Sequence, residues 1–130
     1  MNNISNNFYW GDILEMKTAI ITGGTGYIGS NLTKRLVKDN WKVYLITRSE
    51  SSFKYIDDIY SDVNILLYDG SVECLIEYFN EVKPKVVFHL ASLVSINHSS
   101  NDIDNLIESN IKFGTHILEA MADSHVNTIV

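Results

Sequence analysis

Thr22-Gly23-Gly24-Thr25-Gly26-Tyr27-Ile28-Gly29-Ser30 is the most informative part of this sequence. Its glycines at positions 23, 26 and 29 follow a regular three-residue spacing. The apolar, β-branched run 18–22 comes directly before them and is typical of a central strand covered on both faces. Apolar residues at helical spacing follow from Tyr27 to Asp39. The sequence therefore predicts a glycine loop that joins a buried strand to a helix.

Each of the three spaced glycines has its own physical role. Gly23 permits a tight turn out of the strand, Gly26 leaves room for a pyrophosphate against the backbone, and Gly29 lets the helix pack closely on the sheet. The start of the helix offers N–H groups and a positive dipole end to the phosphates. The loop predicts a dinucleotide site and not the phosphate loop of NTPases, because Ser30 and Asn31 stand where that loop needs Lys and Ser or Thr.

Strand-like and helix-like segments alternate along the rest of the chain. Further strands are predicted at 42–47, 64–68, 85–90 and 127–130, helices at 72–81 and 102–122, and a weak helix or turn at 53–60. The inward stripe of the long helix is predicted to consist of Ile103, Ile107, Ile111, Gly114, Leu118 and Met121. Helical connections between strands give an α/β fold, a Rossmann-like doubly wound parallel sheet of order 3-2-1-4-5, truncated in the fifth strand.

Bulk composition indicates one globular domain. The chain has 130 residues, of which 45% are hydrophobic and 20% charged. A net charge of −6 without any basic run disfavours binding to nucleic acid or to an anionic membrane. The absence of an apolar run of about 20 residues predicts no membrane helix. The single cysteine, Cys74, fits a reducing cytoplasm, and the four histidines lack the spacing of a metal site.

The domain is expected to occupy residues 17–130, and residues 1–16 form a separate Asn-rich segment. The plainer interpretation of this segment is a loose leader. The alternative is an arm that packs on a neighbour through the aromatic cluster Phe8, Tyr9 and Trp10.

Four segments together resemble a known family. The four segments are Thr-Gly-x-x-Gly-x-x-Gly at 22–29, Leu-Tyr-Asp-Gly at 67–70, the strand-four signature at 86–92, and Asn-x-x-x-Gly-Thr at 110–115. Their order and spacing resemble those of extended short-chain dehydrogenases/reductases. That group includes nucleotide-sugar epimerases, dehydratases and reductases. The resemblance covers residues 17–130 and is specific to the superfamily but not to one substrate.

The resemblance implies a cofactor site and its residues. Asp69 would face the adenine, and the strand-four signature would line the cofactor. Asn110 either shapes the active site, as in the family, or is a hydrogen-bonded core residue. The residues expected to bind the cofactor are Gly23, Thr25, Gly26, Tyr27, Ile28, Gly29, Arg48, Ser49, Asp69, Gly70, Leu90, Ala91, Ser92 and Asn110.

The end of the second strand bears on the choice between NAD and NADP. NAD-binding members carry an acidic residue there, about 20 residues past the glycines, which binds the ribose hydroxyls. This chain has Thr47, Arg48 and Ser49 instead. Arg48 can pair with a 2′-phosphate through its planar guanidinium, and nearby serines can add hydrogen bonds. NADP is therefore predicted, with NAD as the alternative and a simple solvated charge as the plainer interpretation of Arg48.

The family performs its redox step with a Tyr-x-x-x-Lys pair, assisted by Ser or Thr. None of the 7 tyrosines is followed by Lys at the fourth position. We expect no catalytic residues in this chain and nucleotide-sugar binding only together with a carboxyl-terminal part. A non-catalytic NAD(P) sensor or interaction module is the alternative.

Homo-oligomers are also expected, because an incomplete fifth strand exposes a sheet edge and the family dimerises through its long helix.

Overall fold

The computed structural model describes residues 16–130, so the proposed leader and its aromatic cluster lie outside the described residues except for Met16. The strands are β1 (Thr18–Thr22), β2 (Lys42–Thr47), β3 (Val63–Leu67) and β4 (Val86–His89). The helices are α1 (Tyr27–Lys38), α2 (Val72–Val82), α3 (Ile103–Ile107) and α4 (Phe113–Ser124). Short 3₁₀ turns span Asp57–Asp62 and Ser100–Asp102, and a π-helical segment, Glu108–Lys112, joins α3 to α4.

The four strands form one parallel sheet in the order β3-β2-β1-β4. Beyond β4, Ile129 bridges Val87 in parallel, and the Val130 N–H donates to the Val87 carbonyl oxygen at 2.9 Å. The last residues of the chain thus lie where a fifth strand would pair with β4. The predicted Rossmann-like fold and its strand order are confirmed.

The central strand β1 is buried on both of its faces, which explains why its apolar residues Ala19, Ile20 and Ile21 follow one another without alternation. On one face, Ile20 packs in a core cluster with Phe79 of α2 and Ile117 of α4. On the other face, Ile21 belongs to a second cluster with Leu36 of α1. Helices on both sides of a parallel sheet define the doubly wound architecture and leave its carboxyl edge open.

The long helix occurs close to its predicted bounds, but the predicted inward stripe was wrong. Of its six members only Met121 is buried, and Gly114 is half-buried. The core side of α4 instead carries Ile117, Ala120, Met121 and Ser124. The side chains of Ile103, Ile107, Ile111 and Leu118 are 46%, 48%, 62% and 56% exposed. The helix is apolar on two adjoining faces, and periodicity alone cannot select the face that meets the sheet.

No helix within residues 16–130 is long and apolar enough to cross a membrane. In the same part of the chain, no three His, Cys, Asp or Glu side chains lie close enough together to hold a metal ion. Two of the histidines instead bond to neighbouring hydroxyl groups, His89 to Thr22 and His116 to Tyr68.

Candidate functional site

A cleft of about 490 Å³ opens at the carboxyl edge of the sheet. Residues that follow each strand line it: Gly23 after β1, residues 47–51 at the end of β2, residues 68–70 after β3 and residues 90–92 after β4. The long helix adds a wall with Glu108, Ser109 and Phe113. Ligands of doubly wound proteins bind at this edge, where the order of the strands reverses.

The glycine loop forms the end of the cleft nearest β1. Gly23 adopts φ +69°, and a Cβ on it would lie 2.8 Å from the Ala91 nitrogen. The Gly26 N–H donates to the Gly23 carbonyl oxygen at 3.0 Å and closes the turn. Gly26 is also the N-cap of α1, which has no side-chain cap. The N–H groups of the first helical turn therefore begin at the cleft, where they can bind an anion.

Two glycines of the loop serve different needs. A Cβ on Gly29 would lie 2.1 Å from the Gly23 carbonyl oxygen, so the packing of α1 on the loop requires glycine at this position. A Cβ on Gly26 would meet only that same oxygen, at 3.4 Å, and the φ of Gly26 is −79°, which any residue adopts. The fold itself therefore does not require Gly26. The open space beside Gly26 belongs to the cleft and fits the close approach of a pyrophosphate.

A buried hydroxyl fixes the wall formed after β4. The Thr22 Oγ1 accepts the Ala91 N–H at 3.2 Å and lies 2.7 Å from His89 Nδ1. When the hydroxyl donates its hydrogen to Nδ1, the His89 proton resides on Nε2. Burial also lowers the pKa of His89, which favours the neutral ring. Thr22 thus ties the start of residues 90–92 to the central strand.

A charged pair stands at the β2 side of the cleft. The Arg48 Nε lies 3.3 Å from Glu50 Oε1, and the Ser49 hydroxyl donates to Glu50 Oε2 at 3.0 Å. The backbone N–H of Glu50, the Ser49 hydroxyl and the Arg48 charge lower the pKa of Glu50, so its carboxylate is ionised at neutral pH. Residues 47–49 hold no carboxylate, but Glu50 brings one to the same part of the cleft.

Asp69 and Tyr68 line the β3 side of the cleft. Asp69 Oδ1 accepts the Ser71 hydroxyl at 2.7 Å and the Ser71 N–H at 2.9 Å, and these bonds lower the pKa of Asp69. The Tyr68 ring packs on Phe113 with centroids 4.8 Å apart, and its hydroxyl lies 2.9 Å from His116 Nδ1. Burial raises the pKa of Tyr68 to about 12, so the hydroxyl keeps its proton. An aromatic wall thus stands beside an ionised carboxylate.

The structure brings most of the predicted cofactor residues into one cleft. Those that line it are Gly23, Thr25, Gly26, Arg48, Ser49, Asp69, Gly70, Leu90, Ala91 and Ser92. Tyr27 and Ile28 are outside the lining, with 75% and 72% exposed side chains, and Gly29 packs on Gly23.

Asn110 is exposed and not a core residue. Its amide group donates to the Leu93 carbonyl oxygen at 2.8 Å and accepts the Leu93 N–H at 2.7 Å, which anchors the loop after β4.

Sequence reasoning missed several residues of the cleft. Those residues are Ile46, Thr47, Glu50, Tyr68, Glu108, Ser109 and Phe113, whereas Ser51, which also lines the cleft, is one of the serines expected to add hydrogen bonds near Arg48. Thr47, Glu50 and Tyr68 directly adjoin predicted residues, and Ile46 lies two positions before Arg48, so the ends of the strands could have indicated them. The other three come from the long helix on the far wall, and only the three-dimensional packing brings them to the cleft.

A parallel doubly wound sheet with a glycine-loop cleft at its carboxyl edge defines the Rossmann-like class. The family model described as "NAD dependent epimerase/dehydratase family" matches residues 19–130. This chain belongs to that family.

Known proteins similar to the chain include enzymes that act on nucleotide sugars. A dTDP-D-glucose 4,6-dehydratase of Dictyostelium discoideum is 31% identical over 82% of this chain and 26% of its own length. A CDP-abequose synthase of Yersinia pseudotuberculosis is 32% identical over 77% of this chain and 33% of its own. The fold matches a Thermus thermophilus UDP-glucose 4-epimerase in complex with NAD, with a TM-score of 0.74 at 24% identity, over 86% of this chain and 36% of that one. The chain thus spans a quarter to a third of the relatives' length.

Proposed function

We propose that this chain is the dinucleotide-binding part of an NAD(P)-dependent nucleotide-sugar epimerase, dehydratase or reductase. The observation that carries the proposal is the open space beside Gly26 at the start of α1, which the fold leaves unused. The relatives named above support the substrate class. Because the sequence contains no Tyr-x-x-x-Lys pair, we propose that the acid–base residues and the sugar-binding residues lie outside these 130 residues.

The cleft offers one group of residues for each part of the dinucleotide. The glycine loop and the first turn of α1 would bind the pyrophosphate, and Arg48 the 2′ position of the adenosine ribose. Asp69 and the aromatic ring of Tyr68 would bind the adenine. Residues 90–92 would line the nicotinamide half of the dinucleotide. When bound, the nicotinamide ring accepts or donates the hydride. The role of this chain would be to bind and orient that ring.

A titration with NADPH and NADH tests the proposal, and Arg48→Ala tests the preference for NADP. We expect the chain to bind both dinucleotides and to favour NADPH. Arg48→Ala should weaken NADPH binding about tenfold, the usual effect of losing a charged hydrogen bond, and NADH binding by less than about twofold. Nicotinamide fluorescence or calorimetry gives both dissociation constants.

Lys85→Ala is the matched control, because it removes an exposed cation at the opposite edge of the sheet. It should leave both dissociation constants unchanged. Equal weakening of NADPH and NADH by Arg48→Ala would contradict the preference for NADP. Failure of the folded wild-type chain to bind either dinucleotide would contradict the proposed function as a whole.

We also propose that the chain self-associates through an exposed apolar stripe of its long helix, which consists of Ile103, Ile107, Ile111 and Leu118. Ile107 and Ile111 lie one turn apart on this stripe and are 48% and 62% exposed. Ile111→Glu should weaken association roughly tenfold or more, because it places a charge in an apolar interface. Sedimentation equilibrium measures the association constant. The control is Ile28→Glu, which changes a 72% exposed isoleucine of α1 on the other face of the sheet. A monomeric wild type, or equal effects of the two changes, would contradict the proposal.

A further inference from the structure

The cleft lining is unbalanced in charge. Among the lining residues within 16–130, Arg48 is the one Lys or Arg, whereas Glu50, Asp69 and Glu108 each bring a carboxylate. Glu108 has its own cation, because Lys112 Nζ lies 2.9 Å from its Oε1. The 2′-phosphate of NADP would add further negative charge, and Arg48 is the lining cation that could compensate it.

Arg48 already has an anionic neighbour in this structure. The carboxylate of Glu50 pairs with the guanidinium through Oε1 and accepts the Ser49 hydroxyl through Oε2, so both of its oxygens are engaged. The two side chains remain 62% and 66% exposed, which leaves them free to rearrange when a ligand binds. In this arrangement Ser49 orients Glu50, whereas the sequence suggested a direct contact of Ser49 with the cofactor.

We propose that Glu50 is a specificity-determining residue, which limits the preference for NADP by acting as the counter-ion of Arg48. A 2′-phosphate must displace the Glu50 carboxylate from the guanidinium before it can form its own ion pair there. A 2′-hydroxyl requires no such displacement. Glu50 therefore opposes NADPH binding through Arg48 and leaves NADH binding largely unaffected. This inference rests on the proposed function, because it requires that the cleft binds a dinucleotide.

A double-mutant cycle tests the inference. Dissociation constants for NADPH and NADH are measured for the wild type, Glu50→Gln, Arg48→Ala and the double variant. Glu50→Gln should tighten NADPH binding about fivefold, as expected for removal of one nearby charge in a solvated cleft, and should change NADH binding by less than about twofold. In the Arg48→Ala background the same substitution should change NADPH binding by less than about twofold.

Three controls accompany the cycle. Glu77→Gln makes the same charge change on an exposed residue of α2 outside the cleft lining, and it should leave both constants unchanged. The gain of Glu50→Gln should shrink as salt is raised to about 1 M, where the Debye length falls to about 3 Å. The thermal midpoint of Glu50→Gln should match that of the wild type, because the side chain is exposed.

The possible results separate the inference from the proposed function. If the folded wild type binds neither dinucleotide, both are overturned. If it binds them but Glu50→Gln leaves the ratio of the two constants unchanged, the inference alone is overturned. If the gain in NADPH affinity persists in the Arg48→Ala background, the inference is also overturned, because Glu50 would then act on the ligand directly. The same holds if the ratio of the two constants shifts because NADH binding becomes weaker.

Discussion

Gly29→Ala is expected to destabilise the domain strongly, because its side chain would meet the backbone of the glycine loop. The new Cβ would lie 2.1 Å from the Gly23 carbonyl oxygen and 2.8 Å from the Gly24 Cα. Both are backbone atoms, so no side chain can move aside to relieve the clash. We expect a loss of about 3 kcal/mol or more, the upper part of the range for overpacking. The thermal midpoint should fall by about 10 °C or more.

Gly114→Ala is the matched control, because it makes the same change inside a helix with a different neighbour. A Cβ there would lie 3.4 Å from the Nε2 atom of the His89 side chain. Alanine is the better helix former by about 1 kcal/mol, so this variant should be as stable as the wild type or more so. Thermal and urea unfolding followed by circular dichroism compare the two. Equal stability of Gly29→Ala and Gly114→Ala would show that α1 does not pack on the loop as described.

The fold could be predicted because its determinants are local and regular. The strand Thr18–Thr22 has three consecutive apolar residues at its centre because the sheet has helices on both faces, and the structure buries Ala19, Ile20 and Ile21 completely. The alternation of strands with helical segments then implies right-handed crossover connections and a parallel sheet. These features need no knowledge of which distant residues meet.

The orientation of the long helix could not be predicted in the same way. Leu118 continues one apolar face and Ile117 another, and both have helical periodicity. The structure buries Ile117 completely, whereas Leu118 is 56% exposed. The choice depends on the groove that α2 and the sheet leave for α4, which is a tertiary property. The π-helical segment Glu108–Lys112 likewise has no distinct pattern in the sequence.

The candidate site was predictable where it follows the ends of the strands. Gly23, Arg48, Asp69 and Ala91 each lie just beyond one strand, and parallel strands bring such positions to one edge. Glu50 was missed because the expected acidic position is the strand end itself. The turn that returns Glu50 to Arg48 is closed by the Ser51 N–H on the Arg48 carbonyl oxygen and by the Arg48 N–H on the Ser51 hydroxyl.

Gly26→Ala is expected to abolish most dinucleotide binding without loss of the fold. The backbone of Gly26 is extended, with φ −79° and ψ 178°, and the nearest atom to an added Cβ is 3.4 Å away. Alanine at a compatible position stabilises a protein by about 0.4–1 kcal/mol, so the thermal midpoint should stay level or rise. The added methyl group would occupy the cleft where the pyrophosphate approaches the backbone, and binding should weaken by about tenfold or more.

The effect of Gly26→Ala should be the same for NADH and NADPH, because the pyrophosphate is common to both. That equality distinguishes it from Arg48→Ala, which should act on NADPH alone. Gly114→Ala is again the control and should keep both the fold and the two dissociation constants, since Gly114 does not line the cleft. Titration and thermal unfolding of the same samples separate binding from stability. If Gly26→Ala binds both dinucleotides as tightly as the wild type, the pyrophosphate does not lie on the glycine loop, and the function proposed for the cleft fails.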